Sequence, residues 1–134
     1  MYESILVATD GSDSADRAVD AALDLASVFD AELYAISVVD TRRYGDSALS
    51  GSESVVSDLE TQASELLEAV ERRGDRDVTT ELRHGKPHGE ISDYATAIDA
   101  DLLVLGNRGR ESGEVIGSTA ERIVRFVNRP VLTI

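Results

Sequence analysis

Short apolar runs alternate along the chain with longer stretches whose apolar residues recur every three or four positions, and no other feature restricts the fold as much. The first run, Ser4–Thr9 (SILVAT), precedes Ala15, Ala18, Val19, Ala22, Leu23, Ala26 and Phe29 at helical spacing, with Ser12 or Ser14 available as N-cap. A second strand is expected over Glu32–Val39. A second helix is striped by Val55, Val56, Leu59, Ala63, Leu66, Leu67 and Val70 and ended by Gly74. Between them, the polar, Gly- and Ser-rich Asp40–Glu53 reads as a long mobile loop. Asp77–His84 alternates polar and apolar residues, which suits an exposed strand more than a central one. Pro87 opens a third helix carried by Ile91, Tyr94, Ala95 and Ile98, and Asp101–Gly106 (DLLVLG), the most apolar run, reads as a central strand. Ala120, Ile123, Val124 and Val127 stripe a fourth helix, Asn128, Arg129 and Pro130 break it, and VLTI closes the chain as a fifth strand. Strands joined through helices pair in parallel, and right-handed crossovers then lay helices on both faces of the sheet. Such a sheet has a point where strand order reverses and a crevice opens at the carboxyl ends of the strands.

The length of 134 residues suits one domain, 1–134, with one core, and a hydrophobic fraction of 42% fits a globular chain. No apolar run is long enough to span a bilayer, and the acidic start MYESILVATDG lacks the basic opening of a signal peptide, so a soluble cytoplasmic protein is expected. The absence of cysteine excludes disulfides, thiolate chemistry and cysteine-ligated zinc or iron–sulfur centres. Twenty-six acids against 13 bases give a net charge of −13, with Lys86 the sole lysine. Such a surface is a poor partner for nucleic acid and for anionic membranes, since both need basic groups to displace counterions. The acids are scattered along the whole chain. This fits an ordinary acidic protein or, given the scarcity of lysine, a halophilic one working in concentrated salt, where screening removes the self-repulsion.

Two strand ends carry the candidate chemistry. Asp10, just past the first strand, could hold a magnesium ion or a ribose hydroxyl, although Asp-Gly is also a common turn pair. After the fourth strand, Gly106 and Gly109 allow the backbone to approach a ligand because neither bears a Cβ. Gly117, Ser118 and Thr119 stand immediately before the last helix, whose N-terminal N–H groups and dipole suit a phosphate; the same residues would equally serve as a turn and an N-cap. Arg108 and Arg110 could reach phosphate, or be ordinary exposed loop arginines, and Tyr44 could cover a bound base or be exposed. His84 and His88 straddle a strand end and a helix start without an evident third ligand, so they read as structural or solvated. Other chemistries lack their signatures. There is no GxxxxGK[ST], no GxGxxG after the first strand, no acid at the end of the third strand for a phosphorelay receiver, and no Ser-His-Asp order at strand ends.

Taken together, ILVATDGSDSADRAVDAA, DADLLVLGNRG and GSTAERIVRFVNRPVLTI resemble the universal stress protein family along nearly the whole chain. The resemblance implies a three-layer α/β fold of the adenine nucleotide α-hydrolase type, a five-stranded parallel sheet in the order 3-2-1-4-5 with helices on both faces. One branch of the family binds ATP through G-x2-G-x9-G-[ST]. By position, Gly106 and Gly109 match its first pair and Gly117 and Ser118 its second, with Thr119 supplying the next backbone group. Asp10 matches the acid beside the nucleotide and its metal, Ala8 and Val38 match the sugar and adenine positions, and Leu105 matches the residue before the first glycine. The chain departs from the pattern in having seven residues, RESGEVI, where the family has nine. Loops tolerate deletion, yet a shift of about an ångström at a positioned site can cost much of its function.

The resemblance thus implies ATP or AMP, with Mg2+, in the switch crevice, and a homodimer through the apolar C-terminal strand, which as an unpaired edge invites a partner. Sensing or regulation is expected rather than turnover, since no general base or nucleophile stands out. A nucleotide-free interaction protein of the same family and a slow ATP hydrolase are the alternatives. The charge carries its own expectation, that folding depends on salt. The thermal unfolding midpoint followed by circular dichroism should climb as KCl is raised toward molar concentrations, whereas full cooperative stability in dilute buffer would contradict the halophilic reading.

Overall fold

The computed structural model describes residues 2–40, 52–74, 76–107 and 118–134. Its elements run β1 (Ser4–Ala8), α1 (Asp13–Phe29), β2 (Glu32–Val39), α2 (Ser52–Arg73), β3 (Val78–His84), α3 (Pro87–Ala97), β4 (Leu102–Leu105), α4 (Ser118–Phe126) and β5 (Val131–Thr133). The five strands form one parallel sheet in the order β3-β2-β1-β4-β5, as expected. Strand β1 is central: Ile5 faces Leu33 of β2 on one side and Leu102 of β4 on the other.

The period of two along each strand divides the core into two layers. Ile5, Val7, Leu33, Ala35, Leu102 and Val104 pack against Ala18, Val19 and Ala22 of α1 and Leu67 and Val70 of α2. Leu6, Ile36, Leu103 and Leu105 point the other way, onto Ile91, Tyr94 and Ala95 of α3 and Ala120 and Ile123 of α4. All four residues of β4 are buried, in keeping with the most apolar run of the sequence. Strand β3 lies at an edge with no fully buried residue, which is why its polar–apolar alternation is tolerated. Strand β5 forms the other edge.

The structure refines several expectations. Ser12 caps α1, its Oγ accepting the Ala15 N–H at 3.1 Å, which leaves Ser14 for another task. Helix α2 begins at Ser52, inside the stretch expected to be loop; residues 41–51 of that stretch, Tyr44 among them, lie outside the described residues. Val124, expected on the core stripe of α4, is 50% exposed, whereas Ala120 and Ile123 are buried and Val127, just past the helix, packs on the same layer.

The turns at the amino ends of β2 and β4 are built alike. Helix α1 ends at Asp30 and α3 shortly before Asp99, both in the left-handed conformation (φ 51° and 52°). The next N–H reaches back into the helix, from Ala31 to the Ala26 carbonyl and from Ala100 to the Ala95 carbonyl, each at 2.9 Å. The left-handed region costs an L-residue roughly 1–2 kcal/mol, and here an arginine clamps each turn. Arg76 donates to Asp30 Oδ1 at 2.7 Å and to the Ala31 carbonyl at 3.3 Å. Arg129 donates to Asp99 Oδ1 at 3.1 Å and to the Ala100 carbonyl at 2.7 Å. Beside the second turn, Asp101 accepts from the Glu3 and Ser4 N–H groups at 2.8 and 3.0 Å, which holds its carboxyl below the usual aspartate range. This pole gathers Glu3, Asp30, Glu32, Asp99 and Asp101 around a polar groove, at the end of the sheet away from the strand carboxyl ends.

Candidate functional site

The crevice at the strand carboxyl ends follows from the connections. From β1 the chain crosses by α1 to β2 on one face, and from β4 it crosses by α4 to β5 on the other, so the ends of β1 and β4 are left between diverging helices. Thr9 carries the pairing of β1 one step further, its N–H donating to the Ile36 carbonyl at 3.0 Å. The chain then turns sharply. Gly11 takes φ 83°, a conformation open to glycine, with its N–H on Thr9 Oγ1 at 3.3 Å. Asp10 Oδ1 accepts the Ser12 N–H at 2.9 Å, so the Asp-Gly pair forms the turn the sequence allowed, and the Asp10 side chain stays exposed at the mouth of the crevice.

The remaining candidates fall around this turn. Ala8, Val38 and Leu105 belong to the layer facing α3 and α4; Leu105 is buried, whereas Ala8 and Val38 are half-buried at their strand ends. Ser118 and Thr119 occupy the first turn of α4, with Thr119 half-buried. A helix that follows a parallel strand runs back against it, so this N-terminus faces the carboxyl end of the sheet. Gly109, Gly117, Arg108 and Arg110 lie outside the described residues.

Gly106 is placed differently from its sequence reading. A Cβ there would lie 2.8 Å from both Ala15 N and the Ser14 carbonyl carbon, and closer still to Ser14 Oγ. The space its missing side chain leaves is filled by the first turn of α1. Ser14, read from the sequence only as a possible cap, and Asn107, given no role there, belong to the same junction. Ser14, 4% exposed, lies against Asn107 and Ile134, and Asn107 N–H donates to the Ile134 carbonyl at 2.9 Å. Nothing in the sequence marks Ser14 beyond its being one of two serines near a helix start.

Among the described residues no group of three or more His, Cys, Asp or Glu is arranged to hold a metal ion. His84 Nε2 lies 3.5 Å from Glu60 Oε1 of α2, a structural pairing. Asp10 alone suits Mg2+ only in the manner that ion favours with nucleotides, one carboxylate with the rest of its shell from water and phosphate. On the opposite flank, Gly85 N–H donates to the Val39 carbonyl at 3.0 Å and ties the β3–α3 turn to the end of β2.

The sequence pattern of the universal stress protein family matches residues 1–134. The chain belongs to that family. A universal stress protein of Methanocaldococcus jannaschii is 35% identical over 140 residues, which cover 100% of this chain and 82% of the relative. Among solved structures, the universal stress protein UspA of Lactobacillus plantarum is 32% identical with a TM-score of 0.82, covering 99% of this chain and 97% of that one. A universal stress protein crystallised in complex with cAMP is 26% identical with a TM-score of 0.76, covering 99% and 97% of the two chains.

The described half of the site makes one expectation specific. Gly106→Ala places a methyl against the backbone of α1 and should lower the free energy of unfolding by about 1–3 kcal/mol, read by urea denaturation in concentrated KCl. An unchanged unfolding midpoint would show that α1 does not occupy that space.

Proposed function

We propose that this universal stress protein binds an adenine nucleotide, ATP or AMP, in the crevice between β1 and β4 and acts as a sensor or regulator in the stress response. What supports the reading is that Ala8, Asp10, Val38, Leu105 and Gly106 stand at or just past the carboxyl ends of β1, β2 and β4, with the N-terminus of α4 next in the described chain. The cAMP complex of the 26% identical relative supports an adenine nucleotide as the ligand class. In this reading the ribose and adenine rest on Ala8 and Val38. The phosphates lie toward Gly106, Gly109, Gly117, Ser118 and Thr119, where backbone N–H groups and the dipole of α4 offset negative charge. Mg2+, when bound with the nucleotide, would neutralise phosphate charge, and Asp10 is the residue that would hold it.

The surroundings of the site add further proposals. The edge strand β5, with Leu132 37% exposed, supports a homodimer through the C-terminal strand, and Val124 of α4 is also 50% exposed. The net charge of −13 supports a protein adapted to high salt without a nucleic-acid or membrane partner, and we read the chain as one cytoplasmic domain over 1–134. No helix among the described residues is long and apolar enough to cross a membrane. The seven-residue spacer favours a second reading, a dimeric interaction protein that has kept the glycines and lost the ligand.

Calorimetric titration of nucleotide-stripped protein with Mg-ATP in concentrated KCl separates the two. Saturable binding near one nucleotide per chain, abolished by Gly117→Val, is the expected result. No heat with ATP, ADP or AMP at several temperatures, on well-folded protein, would overturn nucleotide binding and leave the interaction protein.

A further inference from the structure

We propose that Ser14 is a positioning residue of the nucleotide site, holding the turn that carries Asp10 and the turn that begins at Gly106 in fixed relation to each other. This inference rests on the nucleotide-binding reading and assigns a role within that site to a buried residue outside the glycine motif.

Serine in the first turn of a helix usually serves as a cap. Here that task is taken, since Ala15 N–H is bound by Ser12 Oγ at 3.1 Å. The Ser14 hydroxyl is nevertheless buried, and a buried hydroxyl is costly unless it is hydrogen-bonded. Its Oγ lies 3.4 Å from Asn107 Oδ1 and 3.4 Å from the backbone oxygen of Ile134, so the hydroxyl can donate to either. The acceptors are themselves joined, because Asn107 N–H donates to the Ile134 carbonyl and Ile134 N–H donates to the Leu105 carbonyl, each at 2.9 Å.

The junction therefore ties three chain segments together. The first turn of α1 leads back through Ser12 to the Asp10 carboxylate, which accepts the Ser12 N–H at 2.9 Å. The end of β4 becomes the glycine turn at Gly106, whose Cα sits so close to Ser14 and Ala15 that no side chain fits between them. The end of β5 supplies the carbonyl that both Ser14 and Asn107 use. Loss of the hydroxyl leaves β4 and β5 paired through their backbones but removes the hydrogen bond that ties Gly106 and Asn107 to the first turn of α1. A site that grips phosphate from one turn and metal from the other is sensitive to such a shift.

The test is a double-mutant cycle on Mg-ATP affinity, with Ser14→Ala, Asn107→Ala and the double variant, all measured by calorimetry in concentrated KCl. Each single variant should weaken binding about tenfold, and the double variant no further than either, because both remove one contact. Amide exchange in Ser14→Ala adds a readout that needs no nucleotide. Asn107 N–H should exchange faster while Leu103 N–H, bonded to the Pro130 carbonyl at 3.0 Å inside the sheet, keeps its wild-type rate. Unchanged affinity, additive losses, or Leu103 accelerating in step with Asn107 would each overturn the positioning role. Failure of the wild-type protein to bind any adenine nucleotide would remove the functional reading itself and this inference with it, whereas wild-type binding with an unaffected Ser14→Ala variant would overturn this inference alone.

Discussion

Strand β1 pairs on both sides, with β2 through Ser4–Ala8 and with β4 through Ile5–Val7, and the rest of the molecule depends on that double pairing. It satisfies the backbone of a strand whose Ile5, Leu6 and Val7 are wholly buried. Because the connections from β1 and β4 leave on opposite faces, the same pairing opens the crevice at their carboxyl ends. Fold and site thus have one cause. The apolar run that makes the central strand buryable also ends in Ala8, Thr9 and Asp10 at the mouth of the crevice.

The two ends of the sheet use charge differently. At the amino end, Asp30 and Asp99 accept unfavourable left-handed backbone and are clamped by Arg76 and Arg129, so acids there close turns. At the carboxyl end, Asp10 closes its own turn through Oδ1 and remains exposed at the crevice mouth. A nucleotide brings further negative charge to a chain already at −13. In the proposed reading the favourable terms would be backbone N–H groups and the α4 dipole, which do not depend on lysine.

Much of this was legible in the residues. The alternation of periods anticipated each strand and helix among the described residues, and the polar alternation of Val78–His84 identified an exposed strand, because both signals come from burial itself. Val124 misled because a nine-residue helix buries too narrow a stripe for every apolar residue at helical spacing. The candidate site was readable as a motif but not as a set of contacts. Gly106 stood out for its missing Cβ, yet what fills the gap is α1, more than ninety residues earlier in the chain. Ser14 looked like one of two interchangeable caps until Ser12 was seen to cap α1. Arg129 looked like part of a helix break, and its bond to Asp99 is set by tertiary proximity that no local spacing encodes. Local periodicity reports which face is buried; it carries no information on which distant polar group will meet a given hydroxyl or guanidinium.

The central claim is that the crevice between β1 and β4 is where an adenine nucleotide binds. Amide chemical-shift mapping by NMR during titration with Mg-ATP in concentrated KCl tests it most directly. The account predicts shifts concentrated at Gly11, Val39, Gly106 and Asn107, with the amides of Asp30, Asp99 and Asp101 at the opposite pole unmoved. Shifts centred on that acidic pole, or none anywhere at saturating nucleotide, would contradict it.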